Sequence, residues 1–253
     1  MTIILSGRRN GSTHREVALL ASLPGELRLI GGLAVMVRVG SPHRATVDID
    51  VVARGLNDLH DSIASLALTA TGGGQYTFAG ELDLDVIDVA DMRAAALIDQ
   101  LTDGDPARVH EITDLEMNVV AHTWAHDTAT AVDIEAADDE TGEILCRAAG
   151  RLVASAPGLI AMKATTVGLR ASSKPEKRAS DLYDIGRLLV HGGISQGELQ
   201  AMPDALAAAV ERNLTGWFVD EGGRDRTFRD VRRFDEPRLD LDGVAYAVSD
   251  AFA

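Results

Sequence analysis

The sequence predicts an α/β (α+β) fold, with a mixed sheet domain over residues 1–153 and a mainly helical domain over residues 154–253. Up to residue 153, short runs of alternating apolar and polar residues stand between glycine-rich breaks, as expected for strands. After Pro157 the apolar residues recur at helical spacing. The chain has 253 residues, of which 46% are hydrophobic, enough for one large core or two modest ones.

Helices and strands are predicted to alternate in the first part. The predicted helices cover residues 13–23, 33–39, 56–68 and 91–101. The predicted strands cover residues 27–30, 47–52, 76–78, 82–89, 129–136 and 143–147. The pair 76–78 and 82–89 is close enough in sequence to form a hairpin through Ala79-Gly80. Residues 102–127 are ambiguous.

Three helices are predicted in the second part, over residues 159–170, 180–190 and 202–218. Pro157 suits the first turn of the first helix, where its missing N–H costs nothing. Gly192 or Gly193 would end the second helix. A polar loop over residues 171–177 is predicted between these two helices.

The charge is acidic and unevenly distributed. The formal net charge is −15, which argues against broad, unspecific binding to nucleic acid. Residues 46–143 contain 22 carboxylates and only three Lys or Arg. The basic residues of the second part form two groups, which are Lys163, Arg170, Lys174, Lys177, Arg178 and Arg187, and Arg224, Arg226, Arg229, Arg232, Arg233 and Arg238. This asymmetry indicates a metal-binding part and an anion-facing part.

A cytoplasmic protein is expected. The single cysteine, Cys146, excludes an intramolecular disulfide and fits a reducing compartment. No apolar run approaches the roughly 20 residues that span a bilayer. The first twelve residues show no apolar stretch that leads to a cleavage site.

Paired carboxylates on a predicted strand are the first candidate for a functional site. In Asp48-Ile49-Asp50 the strand period of two puts both carboxylates on one face. Two such charges repel each other unless a divalent cation lies between them, and Mg²⁺ prefers hard oxygen ligands. The alternative is a solvent-facing acidic edge.

A second acidic strand and a glycine turn strengthen this interpretation. Asp83 and Asp85 share a face by the same argument and could supply a third metal ligand. Gly31-Gly32 follows a predicted strand and opens a helix, where backbone N–H groups can bind a phosphate. An ordinary glycine turn is the alternative.

The helical part carries a lysine and two aspartates. Lys163 lies within an apolar run, from which it either reaches solvent or extends into a cleft toward a triphosphate. Asp181 and Asp184 are three residues apart and share a helix face. The alternative for Asp181 is a capping role in the first turn of its helix.

In their order along the chain, these pieces resemble the AbiEii-type nucleotidyltransferase toxins, the group that includes the MenT toxins. The Gly31-Gly32 turn followed by Arg44-Ala45-Thr46-Val47-Asp48-Ile49-Asp50 resembles the family's first motif. Residues 158–163 resemble its lysine helix, and residues 178–185 its closing Asp-Leu-Tyr-Asp motif. The family often has Arg or Lys directly before the closing Asp, where this chain has Ser180.

The resemblance implies a nucleotidyltransferase fold that transfers NMP from an NTP with release of pyrophosphate. It implies catalytic roles for Asp48, Asp50, Lys163 and Asp181. Mg²⁺, or Mn²⁺, would be held by Asp48, Asp50 and a third carboxylate, for which Asp85 is preferred over Asp83. The residues implied to bind the nucleotide are Gly31, Gly32, Arg44, Thr46, Lys163 and Asp184.

The acceptor implied by characterised members is the 3′ end of tRNA, and a cognate antitoxin is the implied partner. Two alternatives stay open from the sequence. The acceptor could be a protein side chain or a small molecule, which the net charge of −15 suits better than tRNA. The chain could also be a non-catalytic nucleotide-binding module. The arginines from Arg224 to Arg233 could contact RNA phosphates or pair with the acids interspersed among them.

Overall fold

The computed structural model describes residues 1–41, 48–170, 174–194, 196–234 and 238–252. The chain divides into two compact units. The first comprises Met1–Asp91 and Thr128–Ser155, and the second comprises Met92–Asp127 and Ala156–Ala253. Residues 92–127, which the sequence division at residue 153 placed with the sheet, therefore group with the helices.

An eight-stranded mixed sheet forms the first unit, with the order β1-β7-β8-β2-β3-β6-β5-β4. The strands are β1 (Thr2–Gly7), β2 (Arg28–Ile30), β3 (Asp48–Ala53), β4 (Thr69–Gly72), β5 (Gln75–Phe78), β6 (Leu82–Asp88), β7 (Thr130–Asp138) and β8 (Ile144–Val153). Parallel and antiparallel pairs are both present, because β3 runs parallel to β6 and antiparallel to β2. The predicted hairpin through Ala79-Gly80 is confirmed by the antiparallel pairing of β5 with β6.

Three helices accompany this sheet, α1 (Ser12–Ser22), α2 (Gly31–Val39) and α3 (Leu56–Ala64). Helix α2 is apolar apart from Arg38 in its last turn, and its first seven residues are all buried. A helix that is apolar all round belongs in a core rather than on a surface. It ends at Gly40, whose φ of 76° lies in the left-handed region that glycine adopts without strain.

The second unit is built from helices. They are α4 (Ala94–Leu101), α5 (Asp114–Asp127), α6 (Ala156–Arg170), α7 (Pro175–His191), α8 (Gln196–Gln200), α9 (Asp204–Leu214), α10 (Glu221–Val231) and α11 (Leu241–Ala251). A 3₁₀ turn covers Pro106–Glu111, and a π turn covers Thr215–Val219. Helix α6 packs against α5, α7 and α9, which explains why eleven of its residues are buried.

The predicted α+β class is confirmed, with two differences in detail. Strands β1 and β4 and helices α8, α10 and α11 were not predicted from the sequence, and α5 lies in the stretch that the sequence left ambiguous. Helix α7 begins at Pro175 rather than at residue 180, because Pro is well suited to the first turn of a helix. Asp181 therefore lies in the interior of α7, and the alternative that gave it a first-turn capping role is wrong. None of the described helices is long and apolar enough to cross a membrane.

Candidate functional site

The acidic residues of β3 and β6 are aligned by the parallel pairing of these strands. Asp50 lies opposite Asp85, and Asp48 lies opposite Asp83. Their neighbours Ile49 and Val51, on the other face of β3, are fully buried, so the pleat turns the aspartates of β3 away from that core. The sheet register therefore brings four carboxylates to one face.

Three of these carboxylates form a compact cluster. Asp48, Asp50 and Asp85 each offer an oxygen atom, and these atoms all lie within 4.8 Å of one another. All three residues are half-buried. Asp83 is exposed and lies outside the cluster, and its carboxylate accepts a hydrogen bond of 2.9 Å from the Thr77 hydroxyl. Of the two candidates for the third carboxylate, the structure thus places Asp85 with Asp48 and Asp50.

Gly31, at the start of α2, forms one wall of this cluster. Its φ is +69°, and a Cβ built at this position would overlap the carboxylate of Asp50. Any larger residue would need both a strained backbone and a displaced Asp50. The glycine therefore lets the first turn of α2 approach the cluster. The N-cap residue, Ile30, has no polar side chain to cap this turn, where backbone N–H groups can meet a phosphate.

The donor set of the cluster fits a hard divalent cation. Three carboxylates bring only oxygen ligands, which Mg²⁺ and Mn²⁺ prefer, and among the described residues no softer donor is part of the group. The close approach of three like charges is costly without a counter-charge. Half-burial leaves a side of the cluster open to water and to substrate phosphates, which commonly complete the shell of Mg²⁺.

The structure describes only some of the other residues that were predicted to bind the nucleotide. Gly32 is buried in the first turn of α2, next to Gly31. Arg44 and Thr46 lie outside the described residues.

Lys163, Asp181 and Asp184 form a buried ion cluster in the second unit. The Lys163 ammonium lies 2.8 Å from Oδ1 of Asp181 and 2.9 Å from Oδ2 of Asp184. Lys163 is only 4% exposed, so the alternative in which it extends to solvent is wrong. Helix α6 supplies the lysine and α7 both aspartates, whose spacing of three residues places them on one face as predicted.

Two further residues at this cluster were missed by the sequence analysis as site candidates. Nη1 of Arg170 lies 2.5 Å from Oδ2 of Asp181, so this carboxylate contacts a different cation with each oxygen. His122, on α5, interacts electrostatically with both Arg170 and Asp181. Burial lowers the pKa of His122 below its ordinary value of 6.5, and the nearby Arg170 lowers it further. The Nδ1–H of this histidine donates to the carbonyl of Asn118 at 2.7 Å.

A groove elsewhere in the second unit contains none of the predicted site residues. It has a volume of about 730 Å³ and is lined by both apolar and charged side chains, among them Phe228, Leu239 and Arg224. Its acids and bases are mixed, and Arg224 pairs with Asp242 across it. Size alone does not make it the reactive site, because the clustered carboxylates and the buried lysine lie elsewhere.

Comparison with protein families shows the family to which the chain belongs. The profile described as "Nucleotidyl transferase AbiEii toxin, Type IV TA system" matches residues 17–247, which include every described residue of both clusters. Comparison with curated proteins and with solved structures gave no significant match. The chain therefore belongs to the AbiEii family of nucleotidyl transferase toxins from type IV toxin–antitoxin systems.

Proposed function

We propose that this nucleotidyl transferase uses Mg²⁺ to move a nucleoside monophosphate from an NTP to the 3′ end of tRNA. The observation that carries the proposal is the cluster of Asp48, Asp50 and Asp85 against the glycine turn of α2. Family membership supports the NTP as donor and an antitoxin as partner. The metal and the acceptor are our inference.

The metal would be held by Asp48, Asp50 and Asp85. When bound, Mg²⁺ (or Mn²⁺) supplies positive charge that offsets the triphosphate and favours deprotonation of the attacking hydroxyl. The backbone N–H groups of Gly31 and Gly32 bind a phosphate at the positive end of the α2 dipole.

Further side chains act on the nucleotide in this proposal. Arg44 and Thr46 contact it, as the family's first motif implies. Lys163 adds a positive charge that favours the pentavalent arrangement at phosphorus, where negative charge accumulates. Asp181 and Asp184 hold the ammonium of Lys163 in place.

The reaction exchanges a phosphoanhydride bond of the NTP for a phosphate ester bond to the acceptor. The acceptor hydroxyl oxygen forms a bond to the α-phosphorus, and the bond from that phosphorus to the bridging oxygen of the β-phosphate breaks. Pyrophosphate leaves, and the hydroxyl proton passes to a carboxylate or to water. Positioning and electrostatic stabilisation account for most of the catalysis in such a step.

The tRNA acceptor is supported by the resemblance to the MenT toxins and by the arginines of the C-terminal helices. The cytoplasm is the proposed location, because both NTPs and tRNA are present there. The main alternative acceptor is a protein or a small molecule such as an aminoglycoside, which the formal charge of −15 favours.

The test is transfer of label from each α-labelled NTP in the presence of Mg²⁺ to three separate acceptors: total tRNA, a total protein extract and an aminoglycoside. Asp48→Asn protein serves as the inactive control. The proposal expects label on tRNA that a 3′-end trimming nuclease releases. Label on protein or aminoglycoside alone would overturn the tRNA assignment, and the absence of transfer to any acceptor would overturn the whole proposal.

A further inference from the structure

The start of α7 and the end of α10 are joined by a partly buried ion pair. Arg178 contacts the carboxylate of Asp230, and the arginine side chain is only 9% exposed. Helices α7 and α10 pack against each other around this pair. The contact fixes the C-terminal half of α10 beside the N-terminal half of α7.

A second contact attaches the residues that follow α10 to the same helix. The ring of Phe234 stacks on that of Tyr183, with centroids 4.6 Å apart and planes inclined by 27°. Tyr183 is fully buried on α7 and lies between Asp181 and Asp184 in the sequence. The turn that carries Arg232 and Arg233 is therefore anchored to the helix that holds both acids of the ion cluster.

Exposed basic residues flank these two contacts along the chain. They are Lys174, Lys177, Arg226, Arg229, Arg232 and Arg233, and we call them the α7–α10 basic surface. Residues 174–178 and 221–233 contain eight basic and four acidic residues, whereas the whole chain carries −15. A local excess of positive charge on an acidic protein is what specific contact with phosphates requires.

Internal pairing accounts for only part of this charge. Arg178 pairs with the interspersed Asp230, and Arg224 pairs with Asp242 of α11. The four exposed arginines, Arg226, Arg229, Arg232 and Arg233, form no ion pair with another residue in the described ranges. Asp235 and Glu236 lie outside those ranges. The negative end of the α10 dipole stabilises basic residues in the last turn, but it does not explain those outside that turn.

We propose that the α7–α10 basic surface binds the phosphate backbone of the acceptor RNA. Arginine suits this role because its planar guanidinium can bind two phosphate oxygens at once. The anchors of this surface on α7 would hold the RNA in a fixed relation to the helix of Asp181 and Asp184. The inference rests on the proposed function, since it names the part of the enzyme that holds the tRNA.

The test compares two triple variants that lose the same charge. One replaces Arg229, Arg232 and Arg233 with Gln. The matched control replaces three exposed arginines from other elements, Arg8, Arg93 and Arg212, with Gln. Binding of fluorescein-labelled tRNA is measured by anisotropy against NaCl concentration, and tRNA modification is measured as kcat and KM.

The proposal expects the first variant to raise the KM for tRNA at least about tenfold. The negative slope of log K for tRNA association against log[NaCl] should become shallower by about 2–3, since three phosphate contacts are lost. Its KM for NTP and its kcat at saturating tRNA should equal those of the wild type. The control variant should keep the wild-type salt slope. A third protein with Lys at the same three positions should regain most of the binding, which separates loss of charge from loss of fold.

Several results would contradict the proposal. If the wild type modifies tRNA but both triple variants behave alike, the RNA binds elsewhere, while the proposed function stands. If the first variant loses response to its antitoxin but keeps its tRNA kinetics, the surface binds protein. If the wild type modifies no RNA at all, the proposed function itself fails.

Discussion

The ammonium of Lys163 lies 2.9 Å from a carboxylate oxygen of Asp184, a residue with no exposed surface. Asp181 holds the same ammonium from the preceding turn of α7, at 2.8 Å. Charges buried to this degree are tolerated only when they are paired. Removal of the lysine would leave two buried carboxylates without their shared cation, so this residue is needed for the fold as well as for the proposed chemistry.

We expect Lys163→Met to lower the free energy of unfolding by about 3–5 kcal/mol, the range for breaking a buried pair from one side. Lys174→Met is the control, because Lys174 is exposed and its replacement should cost less than about 0.5 kcal/mol. Urea unfolding followed by circular dichroism measures both. A loss of under about 1 kcal/mol for Lys163→Met would show that the pairing adds little to stability.

Gly31→Ala should reduce nucleotide transfer about 100-fold, because a methyl group there displaces the carboxylate of Asp50. Gly40→Ala separates this effect from backbone strain. Gly40 has a similar φ of +76°, but a Cβ there meets nothing within 4 Å. Both variants should lose about 1–2 kcal/mol of stability from the left-handed backbone, and only Gly31→Ala should lose activity. Equal activity in the two variants would contradict the close approach of α2 to the cluster.

Millimolar Mg²⁺ or Mn²⁺ should raise the melting temperature of the wild-type protein, because a cation relieves the repulsion among Asp48, Asp50 and Asp85. In Asp50→Asn one of the three charges is gone. This variant should therefore melt at or above the wild-type temperature without metal, and it should gain less when metal is added. Melting curves that do not respond to either cation, with and without NTP, would argue against a metal site here.

Acidification should destabilise the second unit through His122. Burial lowers its pKa in the folded protein below the ordinary 6.5, so the folded state binds fewer protons than the unfolded chain just below that pH. The contribution of neutral His122 to the free energy of unfolding is present above pH 6.5 and is lost as the pH falls toward the lowered pKa. His122→Gln should therefore flatten the dependence of unfolding free energy on pH between about 5 and 7. His191→Gln should flatten the slope less than His122→Gln, because His191 is exposed, even though partial burial and Arg187 also lower its pKa.

Local spacing was enough to predict the acidic strand, the glycine turn and the paired aspartates of α7, since each depends only on the spacing of residues within one short segment. The choice between Asp83 and Asp85 depends on the register of β3 against β6, which is a property of two distant segments. Spacing along the chain therefore left it open, and only the family resemblance favoured Asp85. Arg170 could have been found, because it lies two helical turns after Lys163 and so shares its face.

His122 could not have been found in the same way. Its helix, α5, has no clear apolar stripe, and residues 102–127 gave no decisive period. Strand β4 was missed because its residues, Thr69–Gly72, are all exposed and so show no alternation of apolar and polar side chains. Strand β1 is an edge strand with only Leu5 fully buried, which leaves an equally weak pattern.

The most direct test of the proposed metal site compares Asp85→Asn with Asp83→Asn. These residues are two positions apart on one strand face, and each loses one charge, but only Asp85 belongs to the carboxylate cluster. The measurement is the Mg²⁺-dependent rate of label transfer from NTP by each folded variant. We predict a loss of at least about 100-fold for Asp85→Asn and a rate within about threefold of wild type for Asp83→Asn. Similar rates for the two variants, or a greater loss for Asp83→Asn, would contradict this prediction.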